Sequence, residues 1–187
     1  MMEFVSMQGA KAEHSGGYVR LLQRSRGAND TFAGRRIILR CALTNIMPQA
    51  PQLNQGIWAE LEIYARTLVA AGNELYIITG GYGSGGTGNQ GGTTTTLASG
   101  AITVPARYWK VLLILPEGED DLSRITPDTR VIAVDIPNTQ AASALPWGDY
   151  RTTVNAIEAS TGLDLLNLVA ATVQEELEAV VDGGPTE

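Results

Sequence analysis

Two reactive side chains are almost missing from this chain. Cys41 is the single cysteine, so no internal disulfide can form and the stapling common in small secreted domains is excluded. The single histidine is His14, set in AEHSGG and read by default as an exposed loop residue. No apolar run reaches the about 20 residues of a membrane span, and the first thirty residues hold no apolar stretch of leader length. The expectation is a soluble chain with no membrane partner and no signal peptide, its compartment and oligomeric state left open. Positive charge is also scarce. Thirteen Lys and Arg against twenty Asp and Glu give a net charge of −7 and a pI near 4.7, which argues against holding nucleic acid by bulk electrostatics, since phosphates would be repelled at long range.

What is present fits one domain: 187 residues, 44% hydrophobic, suffice for a single proper core. The charge is unevenly spread. Residues 1–42 carry seven of the thirteen basic residues against three acids, net +4, and the remainder is net −11. Such a split marks a basic arm, a disordered tail or unrelated sequence. The expected division is therefore a loosely packed basic segment at 1–42, with only Ile37 to Leu43 as a strand, a folded domain at 43–182 and a frayed tail at 183–187. Five later cations, Arg107, Lys110, Arg124, Arg130 and Arg151, are candidates to line one face.

The stretch LTNIMPQAPQLNQGIWAELE, Leu43 to Glu62, is where chemistry is concentrated. Pro48 and Pro51 force a turn by excluding the α region from the residue before each. From Ile57 to Ala71, Trp58, Leu61, Ala65, Leu68 and Val69 recur at helical spacing, the stripe of an amphipathic helix facing a core, and Gly72-Asn73 ends it. Asn54 stands at the start of this helix and Glu62 eight residues on, roughly 12 Å along the axis. They are too far apart to be direct ligands of one small cation. An ion bound by the Asn54 oxygen, with Glu62 acting through a coordinated water, suits Mg²⁺. The competing reading is that Asn54 caps the helix and Glu62 is a solvated carboxylate.

Further along, Glu74 to Thr79, Ala101 to Val104, Tyr108 to Leu115 and Arg130 to Ile136 read as strands. Between the first two lies GGYGSGGTGNQGG. Gly81, Gly83 and Gly86 match G-x-G-x-x-G, but no helix and no suitably placed acid follow, so a mobile loop is the better reading than a dinucleotide site. Pro116 to Asp121 reads as an acidic turn without the spacing of a calcium loop. A short helix stopped by Gly162 follows Asp149. A last one over Val169 to Val181 sets Val173, Leu177, Val180 and Val181 on one side and Gln174, Glu175, Glu176 and Glu178 on the other. The fold class expected is α+β, an antiparallel sheet of five or six strands with helices packed on it.

NIMPQ followed by LNQGIWAELE, then NELYIITGGYG, ITVPARYWKVLLIL, RVIAVDIPN and YRTTVNAIEASTGLDLL, resembles the DNA/RNA non-specific endonucleases with the ββα-metal (His-Me) finger, over roughly Leu43 to the C-terminus. The resemblance implies a hydrolase cutting both DNA and RNA, a bound Mg²⁺ (or Mn²⁺) and, in many members, secretion. By position it makes Asn54 the metal ligand, Glu62 the residue holding water on the ion, and Asn45 the site asparagine just after the strand. One part of the pattern is absent. The family places Asp-Arg-Gly-His twenty to forty residues earlier, its His the general base. No such tetrapeptide occurs here; Arg26-Gly27 is followed by Ala28, and His14 is a weak substitute. An impaired nuclease is the expectation. The alternative is a non-catalytic nuclease-like protein, nucleic-acid-binding or degenerate.

Overall fold

The computed structural model describes Glu3–Phe4, Tyr18–Ser25 and residues 47–187. Ten strands occur among the described residues: β1 (Glu3–Phe4), β2 (Tyr18–Ser25), β3 (Asn73–Tyr82), β4 (Gly86–Thr87), β5 (Thr93–Thr94), β6 (Thr96–Leu97), β7 (Ile102–Thr103), β8 (Arg107–Pro116), β9 (Val131–Pro137) and β10 (Arg151–Thr152). Six form the main sheet in the order β1-β2-β3-β8-β9-β10, antiparallel throughout. The α+β architecture expected from the sequence is the one observed. β2 lies inside the basic segment 1–42, and its backbone pairs with β3 from Tyr18 opposite Gly81 to Ser25 opposite Leu75. That backbone pairing covers an edge β3 would otherwise present. The strand read at Ile37 to Leu43 lies outside the described residues.

The run VLLIL is buried on both faces because β8 is central. Tyr108, Leu112 and Ile114 face one layer, with Leu53, Ile57, Trp58, Leu61 and Tyr64. Trp109, Val111, Leu113 and Leu115 face the other, with Val154, Ile157, Leu166 and Leu177. The first layer is α1 (Trp58–Ala70). Its helical run opens at Pro51, earlier than the apolar stripe predicts. Proline suits a first helical turn, and a five-residue π turn, Leu53–Ile57, carries the ladder into α1. Leu53 and Ile57 are fully buried there, worth about 1.5–3 kcal/mol each. Gly72 ends the helix at φ +89°, and the Asn73 carboxamide donates back to the Leu68 carbonyl.

A short α2 (Asp121–Arg124), absent from the sequence reading, closes the acidic turn. Arg124 donates to the carbonyls of Pro116 and Glu119 and pairs with Glu74 and Asp121. The second layer is α3 (Val154–Thr161), capped by the Thr153 hydroxyl, and α4 (Ala171–Glu178). The last helix is shorter than its pattern predicts, so Val180 and Val181 are exposed rather than part of an apolar side. Glu178 is buried rather than solvated and accepts a hydrogen bond from Gln174. The glycine-rich stretch forms no helix: β4 pairs with β5 as a small hairpin and β6 with β7, which removes the dinucleotide reading.

The tail, expected to fray, is held. Asp182 takes both Arg130 and Arg151, the Gly184 carbonyl accepts from Arg151, and the Pro185 carbonyl accepts from Tyr64 and Arg130. Partners more than 30 residues upstream in sequence gave no local signal.

Candidate active site

The approach to α1 is fixed by the end of β9. Asn138, 1% exposed, accepts from the Ala50 N–H at 2.7 Å and donates to the carbonyls of Pro48 and Pro105. The Tyr108 hydroxyl also donates to Pro48, and the Gln140 carboxamide oxygen accepts from the Gln52 N–H. These contacts set the turn from which Asn54 projects.

Asn54 does not cap the helix. It lies inside the helical ladder, its N–H bonded to the Ala50 carbonyl at 2.9 Å, and neither the π turn nor α1 has a side-chain cap. Its side chain is exposed and has no hydrogen-bond partner among the described residues. The two carboxamides that hold the turn from beneath, Asn138 and Gln140, are both bonded to backbone, while Gln52 and Gln55 are exposed like Asn54. An exposed amide oxygen held on a rigid helix start and left uncommitted is a donor suited to a hard cation.

Glu62 lies on α1 with its side chain 47% exposed, and its Oε1 is 3.5 Å from the Lys110 Nζ. Lys110 projects from β8 between Tyr108 and Leu112 and is 4% exposed. Its ammonium lies 4.1 Å from the centre of the Trp58 ring, a cation–π contact. Burial pulls the Lys110 pKa down to about 8, against the opposing pull of Glu62. Trp58 is thus both core and the floor on which this lysine rests.

The five cations expected to line a face do not form one. Arg107 pairs with Asp135, Arg124 with Glu74 and Asp121, and Arg130 and Arg151 with Asp182, while Lys110 is buried. Arg66, passed over in the sequence, is exposed on α1 one turn beyond Glu62 and has no ion-pair partner among the described residues. Its four-residue step from Glu62 was the available signal. Asn45 and His14 lie outside the described residues, so of the four sequence-predicted positions the structure describes only Asn54 and Glu62, both exposed and two turns apart on one helical run.

Residues 32–172 match the family model for DNA/RNA non-specific endonuclease, beginning ahead of Leu43, where the quoted blocks start. The chain is similar to a nuclease from Nostoc sp., 39% identical over 140 residues, covering 75% of this chain and 47% of that protein. It is also similar to a nuclease from Serratia marcescens, 30% identical over 145 residues, covering 76% and 48%. The chain thus spans about half the length of these curated relatives. A solved EndoG/EndoGI complex matches with a TM-score of 0.52 at 20% identity, over 68% of this chain and 50% of that one, a likeness of fold. With the family model covering most of its length, this chain belongs to the DNA/RNA non-specific endonuclease family.

Proposed function

We propose that this chain is a Mg²⁺-dependent phosphodiesterase acting on DNA and RNA, with Asn54 as metal ligand, Glu62 holding a metal-bound water and Arg66 beside them to meet a phosphate. The observation that carries it is the exposed Asn54 carboxamide, without a partner among the described residues, in the turn leading into α1 and two turns before a half-exposed carboxylate. Both are hard oxygen donors, Asn54 taken as the direct contact and Glu62 as the water-mediated one. When bound, Mg²⁺ supplies charge stabilisation at the scissile phosphate and the departing oxygen. The chain's own residues add to this: Lys110 lies 3.5 Å from the Glu62 carboxylate, and Arg66 adds an exposed positive charge one turn beyond it. Mn²⁺ has the same donor preference. Asn45 completes the site by its place in the family pattern.

A positioned general base contributes about 10² to 10⁴ in rate, and the Asp-Arg-Gly-His motif that carries it is missing from the sequence. Purified protein is therefore expected to nick plasmid in a Mg²⁺-dependent manner far more slowly than an intact relative. Asn54→Ala is expected to remove that activity and His14→Ala to leave it unchanged. Robust cleavage lost on His14→Ala would make His14 the base. The missing motif also favours a second reading, a non-catalytic nucleic-acid-binding member, which requires no nicking above background in Mg²⁺ or Mn²⁺ together with retained binding of a DNA duplex.

A further inference from the structure

The glycine-rich excursion after β3 runs back against the very residues that hold the start of α1. Thr87 in β4 donates its N–H to the Asn138 carbonyl at 2.9 Å and accepts at its own carbonyl from the Gln140 carboxamide at 3.3 Å. The same Gln140 side chain accepts from the Gln52 N–H with its oxygen, and the Asn138 side chain accepts from Ala50. Asn54 in turn closes its own helical bond on the Ala50 carbonyl. A continuous path of hydrogen bonds thus runs from the hairpin, through two carboxamides, to the turn carrying Asn54. Chemistry requires amides at both points, because each side chain accepts from one backbone N–H and donates to backbone carbonyls.

Gly86 shows how tightly the hairpin is seated. A β-carbon there would lie 2.4 Å from the Asn138 Nδ2, closer than atoms can approach, and in a tight 3.0 Å contact with the Val104 Cγ1, so any larger residue displaces the Asn138 carboxamide or the hairpin.

We propose that Asn138 and Gln140 are positioning residues for the Asn54 site, and that the β4–β5 hairpin is the buttress that locks them in place. This rests on Asn54 being the metal ligand. Both act through the backbone of 48–52, as outer partners that orient a ligand.

The test is the Mn²⁺ affinity of the full chain by calorimetry, alongside melting, for Gly86→Ala, Gln140→Ala, Asn138→Ala and Asn54→Ala. Removing an outer partner typically costs 10–100-fold in metal affinity, and a loss of about tenfold is expected for Gly86→Ala and Gln140→Ala, each still folded. Should Asn138→Ala not fold, those two variants decide. Unchanged Mn²⁺ affinity in both, with Asn54→Ala weakened, overturns the positioning role and leaves the ligand assignment standing. Unchanged affinity in Asn54→Ala overturns both.

Discussion

The start of α1 and the flank of its second half treat polar groups in opposite ways. Around Tyr64, polar groups are spent on one another: Arg130 forks onto both oxygens of Asp182, Arg151 adds a third contact, and the tail carbonyls take the remaining donors. Around Asn54, the supporting amides of Asn138 and Gln140 are just as fully committed, yet the exposed Asn54 carboxamide has no partner among the described residues. A fold that satisfies buried donors so thoroughly at one place gives meaning to an uncommitted carboxamide at the other. The first arrangement contributes stability; under the proposed function the second keeps a ligand available.

The largest expected effect breaks the satisfied region. Asp182→Ala leaves Arg130 and Arg151 without their carboxylate, and removing one partner of a buried ion pair costs about 3–5 kcal/mol, to be read from urea denaturation. Metal affinity is expected to stay the same. The pH dependence has a definite sign. Burial pushes the Asp182 pKa up, but bonds from Arg130 and Arg151 outweigh it and hold it below the usual carboxylate range. A carboxylate depressed in the folded state stabilises above its unfolded pKa, and that stability is lost as pH falls through the folded value. The gap between the chain and Asp182→Asn should therefore close below about pH 4.

Lys110 gives a smaller effect of the same sign, in a higher pH window. Burial lowers its pKa to about 8, so the folded protein releases a proton while the unfolded chain, near 10.4, keeps it. Stability should rise with pH between those values, where the unfolded state binds more protons. Lys110→Met is expected to flatten that rise and to be as stable as the parent, or more so, at pH 7, because a buried charge is often replaced by an apolar group without loss. A parent curve flat from pH 8 to 10 would show that the ammonium is not held in a desolvated site.

Which parts of this were legible in the sequence follows from the range of each interaction. The helix over Trp58–Ala70 and the central strands were legible because periodicity and turn residues act locally; VLLIL could only be a strand covered on both sides. Asn54 and Glu62 were found by resemblance, while the fate of the Asn54 amide was not, since the Pro51 start and the π turn depend on Leu53 and Ile57 meeting a core assembled from distant strands. The basic face failed for the same reason: counting arginines says nothing of Asp182, 52 residues from Arg130. Lys110 was misassigned to that face, although its alternation with Tyr108 and Leu112 on β8 was a signal that it points into the α1 layer.

The central claim is that the Asn54 carboxamide is kept for a metal and not for the helix. The direct measurement is Asn54→Ala, with Mn²⁺ affinity by calorimetry and stability by denaturation on the same sample. Affinity should fall by more than the roughly 10–100-fold expected of an outer partner, while stability stays within about 0.5 kcal/mol, as for an exposed substitution. Unchanged affinity with a loss of about 0.5–2 kcal/mol, the cost of removing a helix cap, would contradict it.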